Sequence, residues 1–185
     1  MSLLFKILKV IFHPFQTNEL LIQRGSMKVA ATEVKAPGEY SKDIRFSIFL
    51  AGAIDQGQAE DWQKKVARSL DDLDILILNP RRDDWDADWE QVASNPEFKQ
   101  QVLWEVTAME AADLVVYVFT KDSKAPITFF ELGAFGTAKD AIVCAEDGFY
   151  RQGNLDIYCE HWDIPIYHSL DEMITDLHTI LEERA

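Results

Sequence analysis

The chain is poor in what several protein classes require. Of its 185 residues only two are cysteine, Cys144 and Cys159. Their spacing fits neither a metal site nor a redox pair, so each reads as a small buried hydrophobe, and nothing calls for an oxidising compartment. Positive charge is scarce: 18 Lys and Arg stand against 32 Asp and Glu, a net charge of −14. A sequence-independent grip on DNA or RNA draws its affinity from cations that neutralise phosphates, so a nucleic-acid polymer is excluded as partner. An uninterrupted apolar run of the ~20 residues that span a bilayer is also missing. The most apolar stretch, Met1 to Phe15, is broken by Lys6 and Lys9 and ends at His13-Pro14; those lysines also interrupt the apolar centre of a signal peptide. There is no GxGxxG fingerprint and no Walker lysine, so neither dinucleotide nor triphosphate binding has motif support. His13, His161, His168 and His178 lack Cys or His partners at ligand spacing, and the aspartates of residues 83–88 match no cation loop. No metal and no cofactor are expected.

What is present is a core. Hydrophobic residues make up 48% and aromatic residues 11% of the chain, which suits one globular domain, while the length is short for two. Residues 1–44 read as an N-terminal extension and lead-in. Leu4, Leu8, Ile11 and Phe12 would share one side of a helix, so a docking or membrane-surface segment stands beside a poorly ordered extension. Gly25-Ser26-Met27 fits a linker before an alternative start, and Pro37-Gly38 with mixed charges leaves residues 28–44 without a firm element. Residues 45–185 read as the domain proper.

Within that domain, Phe46 to Gly52 is a short apolar run ending at glycine, as a buried strand requires. Ala59, Trp62, Val66 and Leu70 follow at helical spacing. Residues 74–78 give a second strand, stopped by Asn79-Pro80. Asn95 as cap and Pro96 at the first helical position open a helix to about residue 112. Asp113 then opens a third strand over residues 114–119, and Pro126 introduces a helix to about residue 139. Residues 141–144 and 164–167 are strands, 154–160 a short helix, and 169 to about 183 a terminal helix. This alternation predicts an α/β fold: a doubly wound parallel five-stranded sheet, a flavodoxin-like or Rossmann-like sandwich. Its ligand should lie beyond the carboxyl ends of the strands, near the switch in strand order.

Glu131 falls in the early turns of the helix after the third strand, where the positive end of the helix dipole favours an ionised carboxylate. Such a group can attack an electrophilic sugar carbon and form a covalent glycosyl intermediate. The other reading is a glutamate that only pairs with the dipole. Glu105, eight residues before Asp113, is a second acid, suited to orient a sugar hydroxyl or hold a proton for a leaving base; it equally fits a helix surface. Asp113 reads as a turn cap. After the first strand, Gly52, Ala53 and Asp55 offer small residues and backbone N–H groups able to cradle an anion or approach a flat base. After the second, Arg81 and Arg82 are adjacent, with Asp84 and Trp85 close behind. Arginine forks suit phosphate or carboxylate, and Trp85 can stack on a base. An internal ion-pair knot with the aspartates is the alternative.

In their order and spacing, these pieces resemble the nucleoside 2-deoxyribosyltransferase superfamily, especially its deoxyribosyltransferase-like branch. They are Ser47 to Asp55, Asn79-Pro80-Arg81-Arg82 with Asp84-Trp85, Val102 to Glu105 with Ala112-Asp113, and Pro126-Ile127-Thr128 leading to Glu131-Leu132-Gly133. The resemblance runs from about Phe46 to the C-terminus. It implies Glu131 as the nucleophile that attacks C1′ of the sugar, with Glu105, often Asp in relatives, binding the sugar and assisting. It places Gly52, Ala53 and Asp55 at the base pocket. Two departures stand out. Ala125 occupies the position of a base-reading Asp, and the phosphate-binding serines of monophosphate-hydrolysing relatives have no clean match in Ser123 or Thr128, so Arg81 or Arg82 would substitute. The implied protein is a cytoplasmic enzyme without cofactor that cleaves or transfers the N-glycosidic bond of a (deoxy)nucleoside or nucleoside monophosphate. It would act as a homodimer or larger homo-oligomer whose neighbouring subunit completes the site. A nucleotide-binding or sensing module of the same fold, without efficient catalysis, is the alternative, and cleavage of a larger glycosidic cofactor such as NAD a third.

Overall fold

The computed structural model describes residues 30–41, 45–54 and 61–184. The N-terminal segment read above as a docking helix or extension, and Asp55, lie outside the described residues.

Six parallel strands form one sheet: β1 (Thr32–Lys35), β2 (Phe46–Gly52), β3 (Ile75–Asn79), β4 (Leu114–Phe119), β5 (Asp140–Ala145) and β6 (Ile166–Tyr167), in the order β1-β3-β2-β4-β5-β6. From β2 onward this is the flavodoxin-type order, with its reversal between β2 and β4. Five helices complete the fold: α1 (Trp62–Ser69), α2 (Pro96–Ala111), α3 (Pro126–Phe135), α4 (Gln152–Trp162) and α5 (Leu170–Glu182). Strand side chains alternate between two cores. On one face Phe49, Ala51, Val115 and Tyr117 pack with α2, α3 and α4. On the other Ile48, Leu50, Val116 and Val118 pack with α1 and α5. β4 is buried at every position, which is why its sequence is an unbroken apolar run.

The sixth strand was not expected. β1 lies in the stretch read as a lead-in, pairing in parallel with β3 from Thr32↔Leu76 to Lys35↔Asn79. It is an edge strand, its Thr-Glu-Val-Lys sequence only half-buried, so it carries no apolar run to signal it. At the opposite edge, β6 is shorter than expected because Pro165 has no N–H to give the ladder, although its carbonyl accepts from the Val143 amide at 2.9 Å. α3 ends at Phe135 rather than near residue 139, because the chain turns at Gly136 and brings the Lys139 ammonium to the Ala112 carbonyl after α2, 3.0 Å away.

Local chemistry sets the other boundaries. The Asn95 side chain accepts from the Glu97 and Phe98 amides at 3.0 and 3.1 Å, capping α2 ahead of Pro96. Asp113 is structural: its Oδ2 accepts from the Ser47 amide at 2.9 Å and the Ser47 hydroxyl at 2.7 Å, tying the start of β4 to β2. At the far end of β2, the Trp62 indole N–H donates to the Ala53 carbonyl at 3.0 Å. A Cβ on Gly52 would lie 2.4 Å from Trp62 Cζ2 and 2.6 Å from the Val118 carbonyl oxygen. The second contact is backbone and cannot swing aside, so overpacking dominates. Gly52→Ala is expected to lose about 1–3 kcal/mol in urea denaturation; an unaltered midpoint would contradict this packing.

Candidate active site

A cavity of about 590 Å³ opens between α2 and α3, above the carboxyl ends of β2 and β3 and beside the strand-order reversal. Its floor is Phe49, Ala51 and Gly52; one wall carries Gln101, Glu105 and Met109 from α2, the other Thr128, Glu131 and Phe135 from α3. α2 and α3 both follow a strand's carboxyl end and cover the same sheet face, so the fold alone brings the two acids together.

Both glutamates are half-buried by surface, because the cavity itself is open, yet protein crowds each carboxyl. Burial pushes the Glu131 carboxyl up to about 8, and the nearby Glu105 carboxyl adds to the rise. Glu105 is raised too, by burial, with the Gln101 amide (2.8 Å from its Oε1) pulling the other way. Both causes at Glu131 oppose the ionising effect expected from the helix dipole. Glu131 is the sixth residue of α3, beyond the first turn where that field acts, whereas desolvation and a like charge act directly on it. No cation among the described residues makes an ion pair with either acid.

Of the other expected residues, Ala53, Arg81, Arg82, Trp85 and Thr128 line this cavity. Two do not. Asp84 is largely exposed and takes the Arg82 fork, at 2.7 Å from Nε and 2.9 Å from Nη2. The expected ion-pair knot thus exists, alongside the cavity. Ser123 is buried, and its hydroxyl donates to the Thr120 carbonyl at 2.9 Å, inside a turn. Gln101 was missed, although a glutamine one helical turn before an acid is a legible pair. It donates to both the Pro80 carbonyl, at 2.7 Å, and Glu105. Ala125, where relatives carry an acid, sits in the left-handed region (φ 43°, ψ 49°) at the start of α3, a strained position for a residue other than glycine.

A smaller hollow of about 280 Å³, near Lys65, Lys121 and His168, has mixed charge partly satisfied within itself, as by Lys65 with Asp171 at 2.6 Å. Among the described residues no cluster of His, Cys, Asp or Glu suits a metal ion, and no helix is long and apolar enough to cross a membrane.

Fold and site together define a doubly wound α/β domain with a two-carboxylate cavity at its switch point. The family model described as "Nucleoside 2-deoxyribosyltransferase like" matches residues 45–149, more than half of the chain, and the chain belongs to that family. Among solved structures, a conserved protein from Enterococcus faecalis V583 is similar at 15% identity and a TM-score of 0.48, covering 76% of this chain and 99% of its own. No curated protein matches the sequence.

The Glu131 shift has a consequence for stability. Between about pH 5 and pH 8 the folded protein holds a proton at this site that the unfolded chain has released. Its contribution is fully present below the unfolded value and is lost as pH rises through the folded one. Melting temperature is expected to fall across that window in the wild type, and to fall less in Glu131→Gln; parallel profiles would refute the shift.

Proposed function

We propose that this chain breaks the N-glycosidic bond of a nucleoside or nucleotide, with Glu131 as nucleophile and Glu105 as its acid–base partner. The observation that carries the reading is two mutually repelling carboxyls on one cavity beside the strand switch, in a chain of this family. Such a pair titrates as a unit, and in the reactive form its one proton sits on Glu105, the donor, while Glu131 is ionised as nucleophile. A Glu131 oxygen bonds to C1′ as the C1′–N bond breaks; the electron pair leaves with the base, which takes the proton from Glu105. Water then attacks C1′, the ester to Glu131 breaks with its pair returning to the carboxylate, and the water proton passes to Glu105. A second base in place of water gives transfer instead of hydrolysis.

A binding module without efficient turnover is the second reading, favoured by the upward shift that leaves Glu131 largely uncharged at pH 7. We also propose that a second copy of the chain covers the cavity rim. Ile127 and Phe130 are 63% and 74% exposed there, and Val102 and Val106 on α2, which line the same cavity, are each 39% exposed. Exposed large apolar side chains around one cavity fit an interface.

Chromatography of nucleosides and nucleoside monophosphates incubated with the protein tests the chemistry. Glu131→Ala is expected to cut base release by at least about 10³-fold; equal release from variant and wild type would end the assignment. In the wild type kcat/KM should fall as pH rises through about 8, where the pair loses its shared proton. Glu105→Gln leaves no carboxyl to donate to the base, so the rate should be much lower and this fall should disappear. For the assembly, wild type should sediment as a dimer or larger and Phe130→Glu as a monomer; a wild-type monomer refutes the interface.

A further inference from the structure

α3 carries a polar side chain that the packing of the fold does not use. Thr128 is only 3% exposed, lines the cavity and supplies the only side-chain hydroxyl there among the described residues. Every other serine or threonine within a described helix gives its hydroxyl to the backbone carbonyl four residues earlier. Ser69 donates to Lys65, Thr107 to Leu103 and Thr175 to Asp171, each at 2.9 Å, and Thr179 to Thr175 at 3.2 Å. That back-bond is how a helix ordinarily absorbs such a group. The Thr128 hydroxyl has none, nor any other partner among the described residues.

The cause lies at the start of the helix. Thr128 is the third residue of α3, so the carbonyl four back, that of Lys124, precedes the helix. Between them Ala125 sits in the left-handed region (φ 43°, ψ 49°), which turns the Lys124 carbonyl out of helical register. That carbonyl accepts instead from the Tyr150 hydroxyl at 3.4 Å. The strained alanine thus leaves Thr128 Oγ1 unclaimed, on a side chain buried deeply enough that its hydroxyl is nearly always bonded.

The position of this hydroxyl relative to Glu131 follows from helical spacing. Residues three apart are neighbours on one helix face, about 5–6 Å between Cβ atoms, and both side chains line the cavity. On the far side of Glu131 the same face carries Phe135, which offers no hydrogen bond. In a nucleoside the base stands on one face of the sugar ring, so a nucleophile that displaces it at C1′ arrives on the opposite face. In ribose that opposite face bears the 2′-hydroxyl, two bonds or about 2.4 Å from C1′. A group that meets O2′ must therefore adjoin the nucleophile. With Glu105 committed to the leaving base, Thr128 is the polar side chain that does.

We infer that Thr128 Oγ1 hydrogen-bonds the 2′-hydroxyl of the sugar, and that the substrate accordingly carries ribose rather than 2′-deoxyribose. The inference rests on the glycosidase reading for the group that attacks C1′. Selectivity arises because a site built around a substrate hydroxyl leaves its own polar group unpaired when the analogue lacks one.

Two measurements keep the contact and the chemistry apart. 2′-Deoxy sugars lose their base more readily without any enzyme, so the informative quantity is the change that a variant makes in the ratio between two substrates. The first measurement is kcat/KM for nucleosides and nucleoside monophosphates, each beside its 2′-deoxy counterpart. Thr128→Val keeps the shape of the side chain and deletes the hydroxyl; the ribo-to-deoxy ratio should drop by about 3–10-fold. Thr128→Ser retains the hydroxyl and should hold the ratio within about 2-fold. An unchanged ratio in Thr128→Val, or equal losses on both sugars, overturns the inference and leaves the glycosidase intact. Should Thr128→Val fail to fold, Thr128→Ala makes the same deletion and is judged by the same criterion.

The second measurement needs no turnover. Glu131→Gln lacks the nucleophile, and calorimetry on it gives dissociation constants for the same pairs. Adding Thr128→Val should weaken the ribo compounds by about 3–10-fold and their 2′-deoxy counterparts by less than about 2-fold. Equal weakening sinks the inference. This selectivity in a protein whose wild type releases no base supports the contact at O2′ and removes the glycosidase. If no member of the panel binds, both readings fall together.

Discussion

Setting two carboxyl groups against one cavity, each crowded by protein, opposes folding twice over, since each loses water and each repels the other. The remaining architecture makes this tolerable without neutralising it. The two cores on either face of the sheet supply the favourable burial, and β4, buried throughout, fixes the helices that enter and leave it. On the loop after β3, Asp84 occupies one edge of the Arg82 fork, and an amide, that of Gln101, is the group bonded to Glu105. Strain at Ala125, next to the same cavity, belongs to the same pattern: local cost gathers at one site and is carried by the surrounding fold.

Much of this was legible in the residues, for physical reasons that differ from element to element. The start of α2 could be read from Asn95-Pro96 because capping is a local interaction, satisfied within three residues. β4 could be read because complete burial leaves an unbroken apolar run. β1 could not, since an edge strand with one partner and half-exposed side chains has no periodicity to display. The convergence of Glu105 and Glu131 was foreseeable from topology, as both helices leave the same edge of the sheet. Their protonation was not. The dipole rule is local, whereas desolvation and mutual repulsion depend on residues 26 positions apart in sequence. Asp84 and Ser123 show the converse error: each has the right chemistry near the right strand end, but a nearby partner claims it.

What separates this chain from the pattern it resembles is concentrated in a few positions. Ala125 brings no carboxylate to a cavity that already holds two, and Glu105 meets the Gln101 amide. The arginines of the cavity lie on the loop after β3, and Thr128 of α3 lines it as well.

Gln101 carries an implication of its own. With one amide nitrogen bonded to both the Pro80 carbonyl and Glu105, rotating the side-chain amide by half a turn would set oxygen against oxygen on two sides. The group is thus locked in one orientation and behaves as a stiff lever between loop and acid. The loop after β3 and the Glu105 carboxyl are tied to each other through a single side chain.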